Sequence, residues 1–186
     1  QSVDGFPALV TDPWLNGRLT ALHACSDIWA SGAMVCSAQP VITLPAVNKS
    51  LQQQLLAQSL AGVKSALDLQ GAKLIGGHTL EARTIAPDPI TLGLQISMSV
   101  NGLLEDNQKI WKKGGLKPGD VLLLSRGLGS GVVFSAAMSG RLKPEILEKT
   151  LGKLASSQHY ILNTLIEMQQ QRPSFDIVHA CTDITG

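Results

Sequence analysis

The chain has 186 residues, 44% of them hydrophobic and 16% charged, with a formal net charge of +1. That is enough apolar chain to bury one large core or two small ones. No basic block points to nucleic acid, no apolar run approaches the roughly 18 residues of a membrane span, and no secretory signal pattern opens the sequence.

Ser2–Asp4 reads as a short strand, and Asn16–Ser31 as a helix capped by Asn16. At about 100° per residue, Asn16, Thr20, His23 and Asp27 fall within roughly 60° of one another, opposite Leu22, Cys25, Ile28 and Trp29. A helix with one narrow polar stripe is mostly buried, so the stripe lines a cavity or an interface. A carboxylate there must be paired, hydrogen-bonded or bound to metal, which makes Asp27 a candidate site residue. The competing reading is an ion pair with a nearby Arg or Lys. His23 on the same stripe reads as a hydrogen-bonded orienting residue, and Arg18 either meets phosphate or stands in solvent.

Val41–Leu44 follows as a strand. Leu51, Leu55, Leu56, Leu60, Val63 and Leu67 recur at helical spacing, with Asn48 or Ser50 as cap and Gly71 as terminator. Lys73–Gly76 is a strand running into Gly76-Gly77-His78-Thr79. Adjacent glycines either let a ligand approach the backbone and offer N–H groups to anions, or form a plain tight turn. Glu81-Ala82-Arg83 lengthens the loop that follows. Thr91–Val100 alternates Leu92, Leu94, Ile96, Met98 and Val100 on one face, and Asn101-Gly102 predicts a hairpin turn.

The polar stretch Glu105–Gly119 separates two lobes, 1–105 and 106–186, each α+β. Its lysines, 109, 112, 113 and 117, read as a solvated face, and Trp14, Trp29 and Trp111 as packing residues. Asp120–Ser125 has the pattern of a buried strand. Gly127-Leu128-Gly129-Ser130-Gly131 then either cradles a phosphate at the start of a Val132–Ser139 helix or makes a tight turn; it lacks the Lys and spacing of a P-loop. Pro144 suits the first position of the next helix, and Ser156 or Ser157 begins another. Phe175–Ala180 reads as a last strand that presents Asp183 at its end. Cys25, Cys36 and Cys181 are odd in number and widely spaced, which suggests reduced thiols in a cytoplasmic protein. The four histidines lack zinc-site spacing.

In order along the chain, Ser2-Val3-Asp4, Asp12-Pro13-Trp14 with Gly17-Arg18, Ser26–Gly32, Gly76–Thr79 and Cys181–Gly186 resemble segments of selenophosphate synthetases (selenide, water dikinases). Ser26–Gly32 looks like that family's S-D-I-Y-A-M-G, Gly76–Thr79 like its G-G-H-[ST], and Cys181–Gly186 like its C-T-D-[IV]-T-G. The family lies within the aminoimidazole ribonucleotide synthetase-like ATP-using superfamily. The resemblance implies a mixed α+β two-lobe fold, whose first lobe joins a partner's in a dimeric β-barrel-like sheet. It implies ATP-driven phosphorylation of selenide to selenophosphate, giving AMP and orthophosphate. Asp27 and Asp183 would hold Mg²⁺, Asp4 would contact the phosphate region, and Gly76, Gly77 and His78 would contact ATP from the partner subunit of a homodimer. Hard cations prefer carboxylate oxygens, which suits a motif built on Asp.

On the same resemblance the reactive Cys or selenocysteine and a Lys lie upstream of Gln1, so no catalytic residue is expected within the chain, and both ends read as cuts through a longer protein. The pattern departs at Gly5, where an aromatic residue is usual, which should open the pocket beside Asp4, and at Thr11, which replaces an acid. Another ATP-using enzyme of the superfamily, or a non-catalytic nucleotide-binding homologue, stands as the alternative. The alternating strands of the first lobe carry more apolar surface than two helices cover, so the Val41–Leu44 and Thr91–Val100 strands are expected at a dimer interface.

Overall fold

In a computed structural model of the chain, residues 1–83, 93–106 and 108–184 are described. Thr91 and Leu92 of the expected strand, and Thr185 and Gly186 of the terminal motif, lie outside them. The first part is one sheet with two helices on one face: β1 (Ser2–Pro7), α1 (Pro13–Ala30), β2 (Met34–Leu44), α2 (Lys49–Leu67), β3 (Lys73–Leu74), β4 (His78–Glu81) and β5 (Gln95–Leu103). β5 lies between β1 and β2, antiparallel to both, while β3 and β4 run parallel to β2 along its other side. Leu94, Ile96, Met98 and Val100 are buried together with Ala38 and Ile42 of β2. Asp4 pairs across from Met98 and Ser2 from Val100, so these β1 side chains share the helix-covered face. The apolar alternation of β5 is therefore satisfied by α1 and α2, and the expected apolar excess on its alternating face is not found. Exposed apolar side chains of this part include Val3 on the opposite face, Val41 on β2, Leu74 and Ile75 before the glycine pair, Leu80 on β4 and Leu103 at the end of β5.

Several local expectations are corrected. Asp12, not Asn16, caps α1, accepting from the N–H of Trp14 at 2.8 Å and of Leu15 at 3.0 Å, with Pro13 in the first turn. Asn16 is buried and pins the preceding loop: its Oδ1 accepts from the Leu9 and Val10 N–H groups, and its amide donates to the Val10 carbonyl. Thr20 is buried too and donates back to the Asn16 carbonyl. Only the His23–Asp27 half of the polar stripe is left to face a site. Asn101 and Gly102 make no turn; they sit within β5 opposite Ser37 and Val35. A Cβ on Gly102 would strike Ile28 Cγ2, so this glycine lets α1 close on the sheet. Gly76 and Gly77 likewise make no tight turn. They carry nearly extended backbone from β3 to β4, and a Cβ on Gly77 would lie 2.5 Å from the Pro40 carbonyl oxygen. Glu81 is the last residue of β4 and Ala82 donates to the Leu44 carbonyl, so the pairing with β2 outruns the expected loop.

The remainder carries α3 (Ser130–Met138), α4 (Pro144–Leu154) and α5 (His159–Gln171). Gly129, with φ 104°, supplies the left-handed turn into α3, and α5 starts at His159, with Ser157 Oγ 2.9 Å from the His159 Nδ1. Asp120–Ser125 is not a strand. Val121, Leu122 and Leu123 are about four-fifths exposed, because among the described residues no strand pairs with them. Phe175–Ala180 is also irregular, held by Gln169, whose Oε1 accepts from the Ile177 N–H and whose Nε2 donates to the Phe175 carbonyl. The connector lysines are all exposed, as expected, and Lys109 also makes a surface ion pair with Asp176 at 3.0 Å. Trp29 is buried with its Nε1 donating to Gln70 at 2.9 Å, whereas Trp14 is more than one-third exposed.

Arg18 takes neither of its two expected roles. Its Nε donates to the carbonyl of Ala155 at the end of α4, its Nη1 to Ser65 O and Oγ, and its guanidinium lies 5.8 Å over the Trp14 ring. It ties α1 and α2 to the C-terminal end of α4. A lysine cannot reproduce that fork. Arg18→Lys is expected to cost about 1–2 kcal/mol by denaturant unfolding, and an unchanged midpoint would show the clamp to be idle.

Candidate functional site

The site is a seam between β1 and α1. Ser2 and Asp4 stand two apart on a strand and so point to one face; His23 and Asp27 stand four apart on a helix and so point to one side. The two elements are cross-braced at both rungs. His23 Nε2 lies 2.8 Å from Asp4 Oδ2, and Ser2 Oγ donates to Asp27 Oδ2 at 2.6 Å. The Gly5 N–H donates to Asp4 Oδ1 at 2.7 Å, so both Asp4 oxygens are engaged. The Phe6 ring meets the His23 imidazole edge-on at 5.0 Å and fixes its plane. His23 therefore orients Asp4. Among the described residues no Lys or Arg pairs with Asp27, which overturns the ion-pair reading. Gly5 does not open this pocket: a Cβ there would meet the Ser97 backbone at 2.5 Å, on the neighbouring strand.

Asp183 is not at a strand end, yet it reaches the same helix. Ser26 Oγ lies 3.1 Å from Asp183 Oδ2 and 2.6 Å from the His23 carbonyl oxygen. Asp4 through His23, Asp183 through Ser26, and Asp27 itself all converge on residues 23–27 of α1. All the donors offered are carboxylate and hydroxyl oxygens, which fits a hard cation better than zinc. Among the described residues no three His, Cys, Asp or Glu side chains lie close enough to hold one ion together. A Mg²⁺ site needs only one or two carboxylates, its other positions going to water and phosphate.

Gly76, Gly77 and His78 are exposed and lie elsewhere. β4 borders β2, and β5 separates β2 from β1, so this segment and the acidic seam occupy opposite edges of the sheet. Within one chain they do not meet. Ser2 and Ser26 escaped the sequence reading as partners. The signal for Ser2 was its two-residue spacing from Asp4; for Ser26 nothing short of the tertiary placement of Asp183 would have served.

Beneath the seam, burial pushes the Cys25 thiol up to about 12, against a smaller opposing effect of the Gln70 amide at 3.5 Å. An unfolded thiol ionises near 9.0 while the folded one keeps its proton. The folded state thus binds the extra proton between those values, and stability falls as pH rises from 9 toward 12. Cys25→Ser, whose hydroxyl does not ionise in this range, is expected to flatten the alkaline arm of a Tm-against-pH curve.

A five-stranded mixed sheet with two helices on one face and an oxygen-lined strand–helix seam defines the class: an AIR synthase-like fold. The sequence pattern of the AIR synthase related protein, N-terminal domain, matches residues 1–103, and the chain belongs to that family. Over its whole length the chain is 30% identical to a selenide, water dikinase of Pelobacter propionicus and 32% identical to one of Myxococcus xanthus. A third, from Nitratidesulfovibrio vulgaris, is 35% identical over 82% of the chain. The chain spans about half the length of the first two, 48% and 47%, and 40% of the third. Among solved structures, thiamine-monophosphate kinase from Stenotrophomonas maltophilia superposes with a TM-score of 0.64 at 20% identity, over 83% of this chain and 48% of that one. AaThiL complexed with AMPPCP and TMP gives 0.65 at 18% identity, over 90% and 52%. The hydrogenase maturation protein HypE of E. coli gives 0.63 at 21% identity, over 92% and 50%. At these identities the structures share the fold.

Proposed function

We propose that this chain is the nucleotide- and metal-binding core of a selenophosphate synthetase: ATP, selenide and water give selenophosphate, AMP and orthophosphate. The observation that carries the reading is the attachment of Asp4, Asp27 and Asp183 to a five-residue stretch of α1. The selenide, water dikinases among its relatives supply the substrate class. Phosphoryl transfer makes few covalent demands on a protein; it needs the polyphosphate positioned and its charge neutralised. Asp27 and Asp183 would hold Mg²⁺, which when bound supplies that neutralising charge. Asp4, oriented by the His23 ring and the Gly5 N–H, would face the phosphates or their hydrated cation.

The opposite-edge position of Gly76, Gly77 and His78 supports a homodimer in which each nucleotide site takes this segment from the partner. Among the described residues no strand pairs with the outer sides of β1 or of β3 and β4, and Val3, Ile75 and Leu80 give the open face and edge apolar surface. An obligate two-fold contact would bury upwards of roughly 2,000 Å². We place the protein among enzymes of the cytoplasm, with neither nucleic acid nor membrane as partner.

Titration with AMPPCP, with and without Mg²⁺, tests the site: binding that requires the cation is expected, and cation-independent or absent binding overturns the reading. Light scattering at micromolar concentration should give twice the chain mass; a monomer removes the shared site. For the acceptor, ³¹P NMR of ATP turnover by a longer polypeptide that also carries the reactive Cys or selenocysteine and the Lys should show AMP and orthophosphate only with selenide, and the 186 residues alone should show none. ADP as the sole product would make the enzyme a simple phosphotransferase, and robust turnover by the 186 residues would remove the need for the upstream group.

A further inference from the structure

The Ser26 hydroxyl stands between two acceptors and has one proton to give. Its Oγ is 2.6 Å from the His23 carbonyl oxygen, the ordinary back-bond of a helical serine, and 3.1 Å from Asp183 Oδ2. If the proton lies on the His23 side, two lone-pair-bearing oxygens face each other across 3.1 Å. If it lies on the Asp183 side, the carboxylate is tied to the turn of α1 that carries Asp27. We propose that Ser26 is the positioning residue of the metal site: its hydroxyl donates to Asp183 and ties that carboxylate to the turn of α1 that carries Asp27, ready for a divalent cation. With Asp183 given over to a cation, the hydroxyl would keep the His23 carbonyl as its acceptor.

Three features favour this over a packing role. First, the described residues around Asp183 form no helix or strand, and the Ser26 hydroxyl is one of the bonds that tie this segment to the fold, beside that of the Cys181 N–H to the Lys112 carbonyl. Second, Ser26 lies on the same turn of α1 as Asp27, so what it grips is tied to the rigid element that carries Asp27. Third, the back-bond to His23 gives the hydroxyl a ready alternative acceptor, so releasing Asp183 to a cation strands no donor. Replacing an outer partner that orients a metal-ligating carboxylate typically costs 10–100-fold in metal affinity.

The inference rests on the metal-site reading above, and the test separates the two. In the 186-residue chain, Ser26→Ala, Ser26→Thr, Asp27→Asn and Asp183→Asn are compared by two readouts. One is Mn²⁺ binding in the presence of AMPPCP, followed by electron paramagnetic resonance. The other is amide hydrogen exchange of the 180–184 segment without metal. Ser26→Ala is expected to weaken Mn²⁺ binding roughly 10-fold and to raise exchange in that segment, at an unchanged thermal midpoint. Ser26→Thr keeps the hydroxyl and should restore both. If the Asp variants lose Mn²⁺ while Ser26→Ala binds it like the parent, or if exchange at 180–184 is unmoved, the positioning role is wrong and the metal site stands. If neither Asp variant changes Mn²⁺ affinity, the metal-site reading falls, and the role of Ser26 with it.

Discussion

Asp27→Asn is expected to weaken Mg²⁺-dependent binding of AMPPCP by about 100-fold or more, while the thermal midpoint holds or rises. The magnitude follows from what a lost ligand must exceed, since even outer-sphere partners of a metal are worth 10–100-fold. The stability claim follows from the seam. Asn keeps the shape of Asp, and its Oδ1 still accepts the Ser2 hydroxyl that now bonds Asp27 at 2.6 Å. What disappears is one negative charge on a stretch of helix that also gathers Asp4 and Asp183. Without a cation those charges repel, so neutralising one relieves the apo state. A sharp fall in midpoint with nucleotide binding intact would make Asp27 a structural residue and remove the proposed chemistry.

Gly62→Ala is expected to do the reverse, striking the fold first and the site through it. α1 and α2 touch backbone to backbone at two glycines. A Cβ on Gly62 would fall on the Trp14 carbonyl oxygen and within 2.9 Å of the Arg18 nitrogen; one on Gly17 would fall on the Ser59 carbonyl oxygen and 3.1 Å from the Val63 nitrogen. Backbone atoms inside helices cannot swing aside, so the helices must part. Overpacking of this kind costs about 3 kcal/mol or more, set against the roughly 1 kcal/mol that Ala gains over Gly in a helix. The net loss of about 2 kcal/mol or more lowers the midpoint of a chain this size by roughly 4–8 °C. Because α1 carries His23 and Asp27, displacing it also pulls the seam apart, so cation-dependent nucleotide binding should fall alongside the midpoint. A midpoint equal to or above that of the parent would show that the two helices do not meet as described.

How much of this was legible in the sequence depended on which forces decided each element. Leu51 through Leu67 and the run Ile96, Met98, Val100 could be read because burial on one side imprints its period on the residues. Asp27 could be read because a single carboxylate in a helix of Leu, Ala and Cys has to be accounted for. The cap of α1 was also readable but misread: Asp12 followed by Pro13 is a stronger start than Asn16, whose amide serves a loop bond that no local rule anticipates. Asn101-Gly102 and Gly76-Gly77 were misread for a shared reason. Each has strong turn propensity, and in each the glycine serves close approach instead, to Ile28 in one case and Pro40 in the other. Tertiary contact overrode local preference. The seam itself needed the β1–β5 register, since only that puts Ser2 and Asp4 under the helix and Val3 outside. Nothing in the spacing along the chain foretold that Asp183 would meet Ser26 of α1.

The bare stretch Val121–Leu124 bears on how the polypeptide behaves when crowded. Four consecutive aliphatic residues at 61–83% exposure, two of whose neighbours are Asp120 and Arg126, form a sticky tape with a charged guard at each side. Tape of this kind can pair with its own copies, and where that pairing is head-to-tail it does not close. The guards oppose it by charge. The Lys117 N–H and the His179 ring hold the Asp120 carboxyl below its usual range, so that guard keeps its charge well into acid. Self-association by this route would grow without limit as concentration rises, and so would differ in kind from a two-fold assembly that stops at a pair.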